Sequence, residues 1–137
     1  PQSTGMTFLI DTKIPSELLR PRPNPGVLAW LAHEPRLSIS VICVHESIYG
    51  LTLKQNQPLL RAYEDFVDQY CTVLPVDDAI ARRAGSLRGN LARRGQTRTL
   101  PDMLIAATAQ AHNLTLVTRN TRDFEGCGIG LLNPFTD

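Results

Sequence analysis

Four acidic residues stand where strands or helices are predicted to begin or end. Asp11 follows the apolar run of residues 7–10, and Asp123 follows a second apolar run, residues 114–117. Glu46 lies near the start of a predicted helix, and Asp102 opens an alanine-rich one. Carboxylate oxygens are hard ligands that suit Mg²⁺ or Mn²⁺. With such an ion bound, these side chains could activate water to attack a phosphodiester.

Each of these acids also has a purely structural interpretation. Asp11 could belong to a turn, Glu46 could be a solvated helix residue, and Asp102 could serve only as a helix cap. Asp123 could pair with a neighbouring arginine in the segment 119–122. Spacing alone leaves both interpretations open at each position.

Strand and helix patterns alternate along the chain. The predicted strands are residues 7–10, 37–40, 72–76, 114–117 and 131–132, and the predicted helices are residues 12–20, 27–31, 41–53, 58–71, 77–94 and 101–111. Thr12 and Asp77 are predicted to cap the helices that they begin, and the alanine-rich helix is predicted to be buried on more than one side. This alternation predicts a mainly parallel sheet with helices on both faces, a three-layer α/β/α fold. Because parallel strands share one carboxyl edge, we expect Asp11, Glu46 and Asp123 to meet there, joined by Asp102 from a helix N-terminus.

Length and composition indicate one globular domain. The chain has 137 residues, 42% hydrophobic and 20% charged, which leaves room for a single core. We interpret residues 1–5 as a remnant of an expression vector and residues 6–137 as the domain. The odd number of cysteines and the lack of an apolar run of about 20 residues predict a reduced, cytoplasmic protein without a membrane anchor. A net charge of +1 neither requires nor excludes a nucleic-acid partner.

Four sequence segments together carry a family resemblance. They are LIDTK at 9–13, the stretch from SIS at 38–40 to Glu46, PDMLIAATA at 101–109 and VTRNTRDF at 117–124. In this order they resemble PIN-domain proteins, above all the VapC and FitB group of bacterial toxin-antitoxin ribonucleases, over essentially the whole chain from Met6. The resemblance implies a PIN fold, Mg²⁺ or Mn²⁺ dependence and RNA cleavage. It also implies a homodimer and inhibition by a VapB- or FitA-type antitoxin whose tail occupies the active-site groove.

The resemblance also assigns roles to individual acids. Asp11, Glu46 and Asp102 match the three core acids of the family, and Asp123 matches a more variable fourth acid. Asn120 lies close to Asp123 in the motif and is the alternative fourth ligand or a hydrogen-bonding partner. The implied catalytic and metal-binding set is therefore Asp11, Glu46, Asp102 and Asp123.

Thr12 and Thr118 match supporting hydroxyl positions of the family, whereas two residues depart from its pattern. Lys13 stands where Asn is usual, and Cys43 stands where Thr or Ser is common. The lysine could pair with a carboxylate and compete with the metal, contact the scissile phosphate or point to solvent. The alternative function is therefore a catalytically weakened PIN-like module that binds RNA or antitoxin without turnover.

A cluster of arginines precedes Asp102 in the sequence. It could hold RNA phosphates near the site, bind an acidic antitoxin tail or form a solvated helix face. Its members are Arg82, Arg83, Arg88, Arg93, Arg94 and Arg98.

Overall fold

A five-stranded sheet, parallel at every pairing, organises the computed structural model, which describes residues 7–137. The spatial order is β3-β2-β1-β4-β5. The strands are β1 (Phe8–Ile10), β2 (Leu37–Ser40), β3 (Cys71–Leu74), β4 (Thr115–Val117) and β5 (Leu131–Leu132). The predicted remnant at residues 1–5, and Met6, lie outside the described residues.

Helices connect the strands and complete the predicted three-layer α/β/α architecture, which is confirmed. They are α1 (Lys13–Leu18), α2 (Pro25–Leu31), α3 (Val41–Leu53), α4 (Gln57–Tyr70), α5 (Asp78–Arg93) and α6 (Leu100–Ala111), and a 3₁₀ turn spans Thr121–Phe124. Asp77 caps α5 as predicted, because its Oδ1 accepts the N–H of Ile80 at 2.8 Å. Among the helices of residues 7–137, none combines the length and apolar character required to cross a bilayer.

The core lies against the central strands and buries the backbone that carries Asp11 and Thr118. Leu9 and Ile10 of β1, and Leu116 and Val117 of β4, are fully buried. These strands are short, but the helices of both layers cover them, so continuous apolar runs are favoured. Helix α6 is buried along most of its length, and the predicted burial of its alanine-rich face on more than one side is confirmed.

The order of the strands creates a crevice at one place along the carboxyl edge. From β1 the chain moves outward through β2 to β3, and then returns to β4 on the other side of β1. The connections after β1 and β4 therefore diverge at this switch point, which is where open parallel sheets bind ligands. Asp11 directly follows β1 and Thr118 directly follows β4, so the sequence places both at the crevice.

Candidate active site

Asp11 is buried at the crevice and fixed through both carboxylate oxygens. It is 8% exposed. Its Oδ2 accepts the hydroxyl of Thr118 at 2.8 Å, and its Oδ1 accepts the N–H of Thr12 at 2.7 Å. The Thr118 oxygen in turn accepts the N–H of Asn120 at 3.0 Å. Asp11 is thus an oriented, buried acid, which favours a binding role over a role in a turn.

Thr12 joins Asp11 to Glu46. Besides the N–H that binds Asp11, its hydroxyl donates to Oε1 of Glu46 at 3.0 Å. The sequence predicted Thr12 as the cap of α1, and that detail is wrong: Thr12 occupies the N-cap position, but its side chain makes no capping hydrogen bond. The hydroxyl is directed to the acid of α3 instead. One residue therefore sets the separation of two carboxylates.

Asp102 lies in the first turn of α6, where Thr99 supplies the cap. The N–H of Asp102 donates to Oγ1 of Thr99 at 3.2 Å, which leaves the carboxylate of Asp102 out of the capping bond. Burial raises the pKa of Asp102, and the negative charges of Asp11, Asp123 and Glu46 raise it further, against the lowering effect of Thr99. These four acids therefore share one electrostatic environment.

Sequence reasoning missed Thr99, although a signal was present. Thr99 stands three residues before Asp102 and two before Pro101, a spacing typical of a helix N-terminus. The predicted start at Pro101 placed the helix one residue too late, since α6 begins at Leu100. The cap matters here because Thr99 binds the N–H of Asp102 and its side chain also lowers the pKa of that acid.

Asp123 is exposed on the 3₁₀ turn, and the arginines beside it do not pair with its carboxylate. The ion pairs among residues 7–137 join Arg20 to Glu17 and Arg82 to Asp78 only. Arg119 instead lies over the ring of Phe135, with 4.7 Å between its Cζ and the ring centroid. The alternative candidate Asn120 is also exposed, and its backbone N–H is the group that binds Thr118.

The donor set of this site has the chemistry of a divalent-cation site, but its side chains are not drawn together. Within residues 7–137, no three histidine, cysteine or acidic side chains are close enough to hold one ion as placed. Carboxylate oxygens suit Mg²⁺ or Mn²⁺, and a cation would relieve the repulsion that Asp102 experiences. Glu46 and Asp123 are exposed, so their side chains are not fixed by burial as that of Asp11 is.

Cys43 lies beneath these acids as a fully buried, neutral thiol. Burial raises its pKa to about 12, and the charges of Asp11 and Glu46 add to the shift. At neutral pH the sulfur is therefore protonated and acts neither as a nucleophile nor as an anionic ligand. Cys43 therefore packs in the core beneath the carboxylates.

Lys13 is exposed at the start of α1 and takes part in none of the ion pairs of residues 7–137. The interpretation that it pairs with a site carboxylate therefore has no support in the described part of the chain. Because exposed charges interact weakly and are screened by salt, we expect little competition with a cation.

The variant Lys13→Asn is accordingly expected to change the Mn²⁺ concentration that half-saturates the site by less than about fivefold. Titrating Mn²⁺ at physiological ionic strength measures this effect. A decrease of more than tenfold would instead mean that Lys13 holds a metal-binding carboxylate in the unloaded protein.

The arginine cluster is largely engaged within the protein. Arg82 forms an ion pair with Asp78, Arg83 donates to the side chain of Gln110, and Arg94 donates to a backbone carbonyl of α5. Of these arginines only Arg82 has an anionic partner in the described part of the chain, so the other guanidinium groups keep their net charge while their hydrogen bonds restrict their orientation. Arg98 reaches the turn that carries Asp123, a contact that spacing could not reveal.

The fold and the site together define a class of protein: a parallel α/β domain with oriented acids at the switch point of its sheet. Comparison with known families agrees with this class: a family model of the PIN domain matches residues 8–127. Toxin FitB of Neisseria gonorrhoeae is 32% identical over 138 residues, covering 95% of this chain and 99% of that protein. The chain therefore belongs to the PIN-domain family.

Two further comparisons refine this placement. The tRNA(fMet)-specific endonuclease VapC of Shigella flexneri is 32% identical over 124 residues, covering 90% of this chain and 93% of that protein. A toxin-antitoxin complex from Klebsiella pneumoniae contains a chain with a TM-score of 0.72 and 31% identity, covering 96% of this chain and 100% of that one. The predicted resemblance to FitB- and VapC-type toxins is confirmed.

Proposed function

We propose that this protein is a divalent-metal-dependent endoribonuclease, the toxin of a bacterial toxin-antitoxin pair that acts in the cytoplasm. The observation that carries the proposal is the buried Asp11, held at both oxygens in the crevice where the sheet changes direction. The membership of the PIN-domain family supports the choice of a nuclease over other activities of acidic α/β sites. We assign Mg²⁺ or Mn²⁺ as the cofactor from the oxygen-only donor set.

The residues of the site divide into ligands and supports. Asp11, Glu46 and Asp102 would hold the cation, with Asp123 as the fourth acid and Asn120 as its alternative. A bound divalent ion supplies activated water and charge neutralisation at a phosphodiester. Thr12 and Thr118 do not react. The Thr118 hydroxyl and the Thr12 N–H bind the two oxygens of the buried Asp11 carboxylate and limit its rotation, and the Thr12 hydroxyl binds Glu46.

The proposed partners follow from the relatives and from the exposure of two of the acids. The curated relatives are named as a toxin and as a tRNA(fMet)-specific endonuclease, and a structural neighbour is a toxin-antitoxin complex. We therefore propose RNA as substrate, a VapB- or FitA-type antitoxin as inhibitor and a homodimer as the assembly. The exposed Glu46 and Asp123 leave the crevice open to a nucleic acid.

Removal of the metal tests this function directly. We expect the purified protein to cut structured RNA with Mn²⁺ or Mg²⁺ and to lose that cleavage in EDTA, because without a cation the negative carboxylates of the site repel an anionic phosphate. Gel analysis of RNA fragments, with the metal restored after chelation, measures the effect.

Cleavage that persists in EDTA would contradict a metal-dependent mechanism. An intact protein that binds RNA or antitoxin but cuts no RNA at any metal concentration would instead support the alternative, a PIN-like module without turnover. Antitoxin binding in pull-down assays, compared with RNA cleavage, separates these outcomes.

A further inference from the structure

Arg98 links three parts of the chain around the acidic site. It is partly buried in the segment between α5 and α6. Its Nη1 donates to the backbone oxygen of Asp123 at 2.7 Å, and its Nη2 donates to Oε1 of Gln96 at 3.5 Å. Its own carbonyl accepts Nε of Arg88 at 3.2 Å. Helix α5 is thereby tied to the 3₁₀ turn.

Arg98 binds the backbone oxygen of Asp123, and this leaves the side-chain carboxylate free of the guanidinium. The guanidinium binds the carbonyl and does not form an ion pair with the carboxylate in the described structure. Both carboxylate oxygens of Asp123 therefore stay available. A guanidinium on the carboxylate would compete with a cation for the same oxygens, whereas one on the carbonyl fixes the backbone that presents them.

The turn at Thr121–Phe124 also packs directly on α6, because the buried ring of Phe124 lies in the same core as the inner face of that helix. That packing fixes the far end of the turn, and the N–H of Asp123 donates only locally, to the carbonyl of Asn120 at 3.1 Å. Arg98 adds a polar contact at Asp123 itself. It joins Asp123 to the start of α6, because the next residue in the chain, Thr99, caps the helix turn that carries Asp102.

We propose that Arg98 is a positioning residue, which sets the Asp123 carboxylate relative to Asp102 for cation binding. This inference rests on the proposed metal-dependent function. It predicts the direction in which loss of Arg98 changes the affinity for Mn²⁺. Loss of a positive charge near four acids should by Coulomb's law alone strengthen Mn²⁺ binding, whereas loss of a positioning contact weakens it.

Direct Mn²⁺ binding, followed by electron paramagnetic resonance of the free ion without RNA, tests the proposal. We expect Arg98→Gln to weaken binding by about tenfold, as loss of an outer partner of a metal ligand does. Arg98→Lys keeps a donor for the carbonyl and should stay within about threefold of the wild type. Arg93→Gln removes a charge from exposed α5 and should leave binding unchanged or slightly tighter.

A double variant shows whether Arg98 acts through Asp123. In an Asp123→Asn background, Arg98→Gln should weaken Mn²⁺ binding no further, because the group it positions has lost its charge. Hydrogen exchange in residues 119–125, measured without metal, should be faster in Arg98→Gln than in the wild type and in Arg93→Gln.

Three results would each overturn the proposal. The first is Mn²⁺ binding by Arg98→Gln that equals or exceeds that of the wild type, and the second is an Arg98 effect that is undiminished in Asp123→Asn. The third is unchanged hydrogen exchange in the turn. Failure of the wild type to cut RNA would bear on the proposed function alone, because binding and exchange are measured without RNA.

Discussion

Asp11→Asn is expected to reduce RNA cleavage by at least about a hundredfold. Loss of a group that merely supports a metal ligand costs about 10- to 100-fold, and Asp11 is proposed as the ligand itself. The amide removes the charge and one of the two acceptor sites that Thr12 and Thr118 use. Cleavage rates with Mn²⁺, beside Mn²⁺ binding measured without RNA, show whether the loss arises from the metal.

A matched control for this change is Asp68→Asn. Asp68 is an exposed acid near the end of α4, and β3 begins three residues later, so it lies at the opposite edge of the sheet. The control should retain wild-type cleavage, and circular dichroism should show both variants folded. Equal losses in the two variants, or full activity in Asp11→Asn, would remove Asp11 from the site.

Much of this site could be predicted from the sequence because strand polarity determines it. Apolar runs of the right length followed by Asp11 and Thr118 are local signals, and parallel pairing brings their ends together without further information. The predicted strand at residues 37–40 and helix at 41–53 match β2 and α3 at both ends. The position of Glu46 next to the crevice follows from that match.

The remaining features depend on side-chain directions that periodicity does not encode. Thr12 has a capping residue's sequence context, yet its hydroxyl binds Glu46, 34 positions away. Arg98 belongs to a basic run, yet its guanidinium binds a backbone carbonyl 25 positions away. In both cases a long-range acceptor competes with the local one, and only the assembled fold brings that acceptor within reach.

Both the stability of the fold and the proposed metal binding depend on the hydroxyl group of Thr118. Its fully buried hydroxyl donates to the buried Asp11 and accepts the N–H of Asn120. Replacement by Val keeps the shape and removes both bonds, one of them to a charged group. We expect Thr118→Val to lower the free energy of unfolding by about 2 kcal/mol and the Tm by about 7 °C.

The same variant should weaken Mn²⁺ binding by about 10- to 100-fold, because Asp11 then loses the contact that orients Oδ2. Thr118→Ser supplies the matched control, since it keeps the hydroxyl and loses a buried methyl at a cost of about 1 kcal/mol. Mn²⁺ binding should therefore weaken only in Thr118→Val, although both variants are less stable in thermal unfolding without metal. Equal Mn²⁺ affinities of Thr118→Val and Thr118→Ser would show that the hydroxyl stabilises the fold without orienting Asp11.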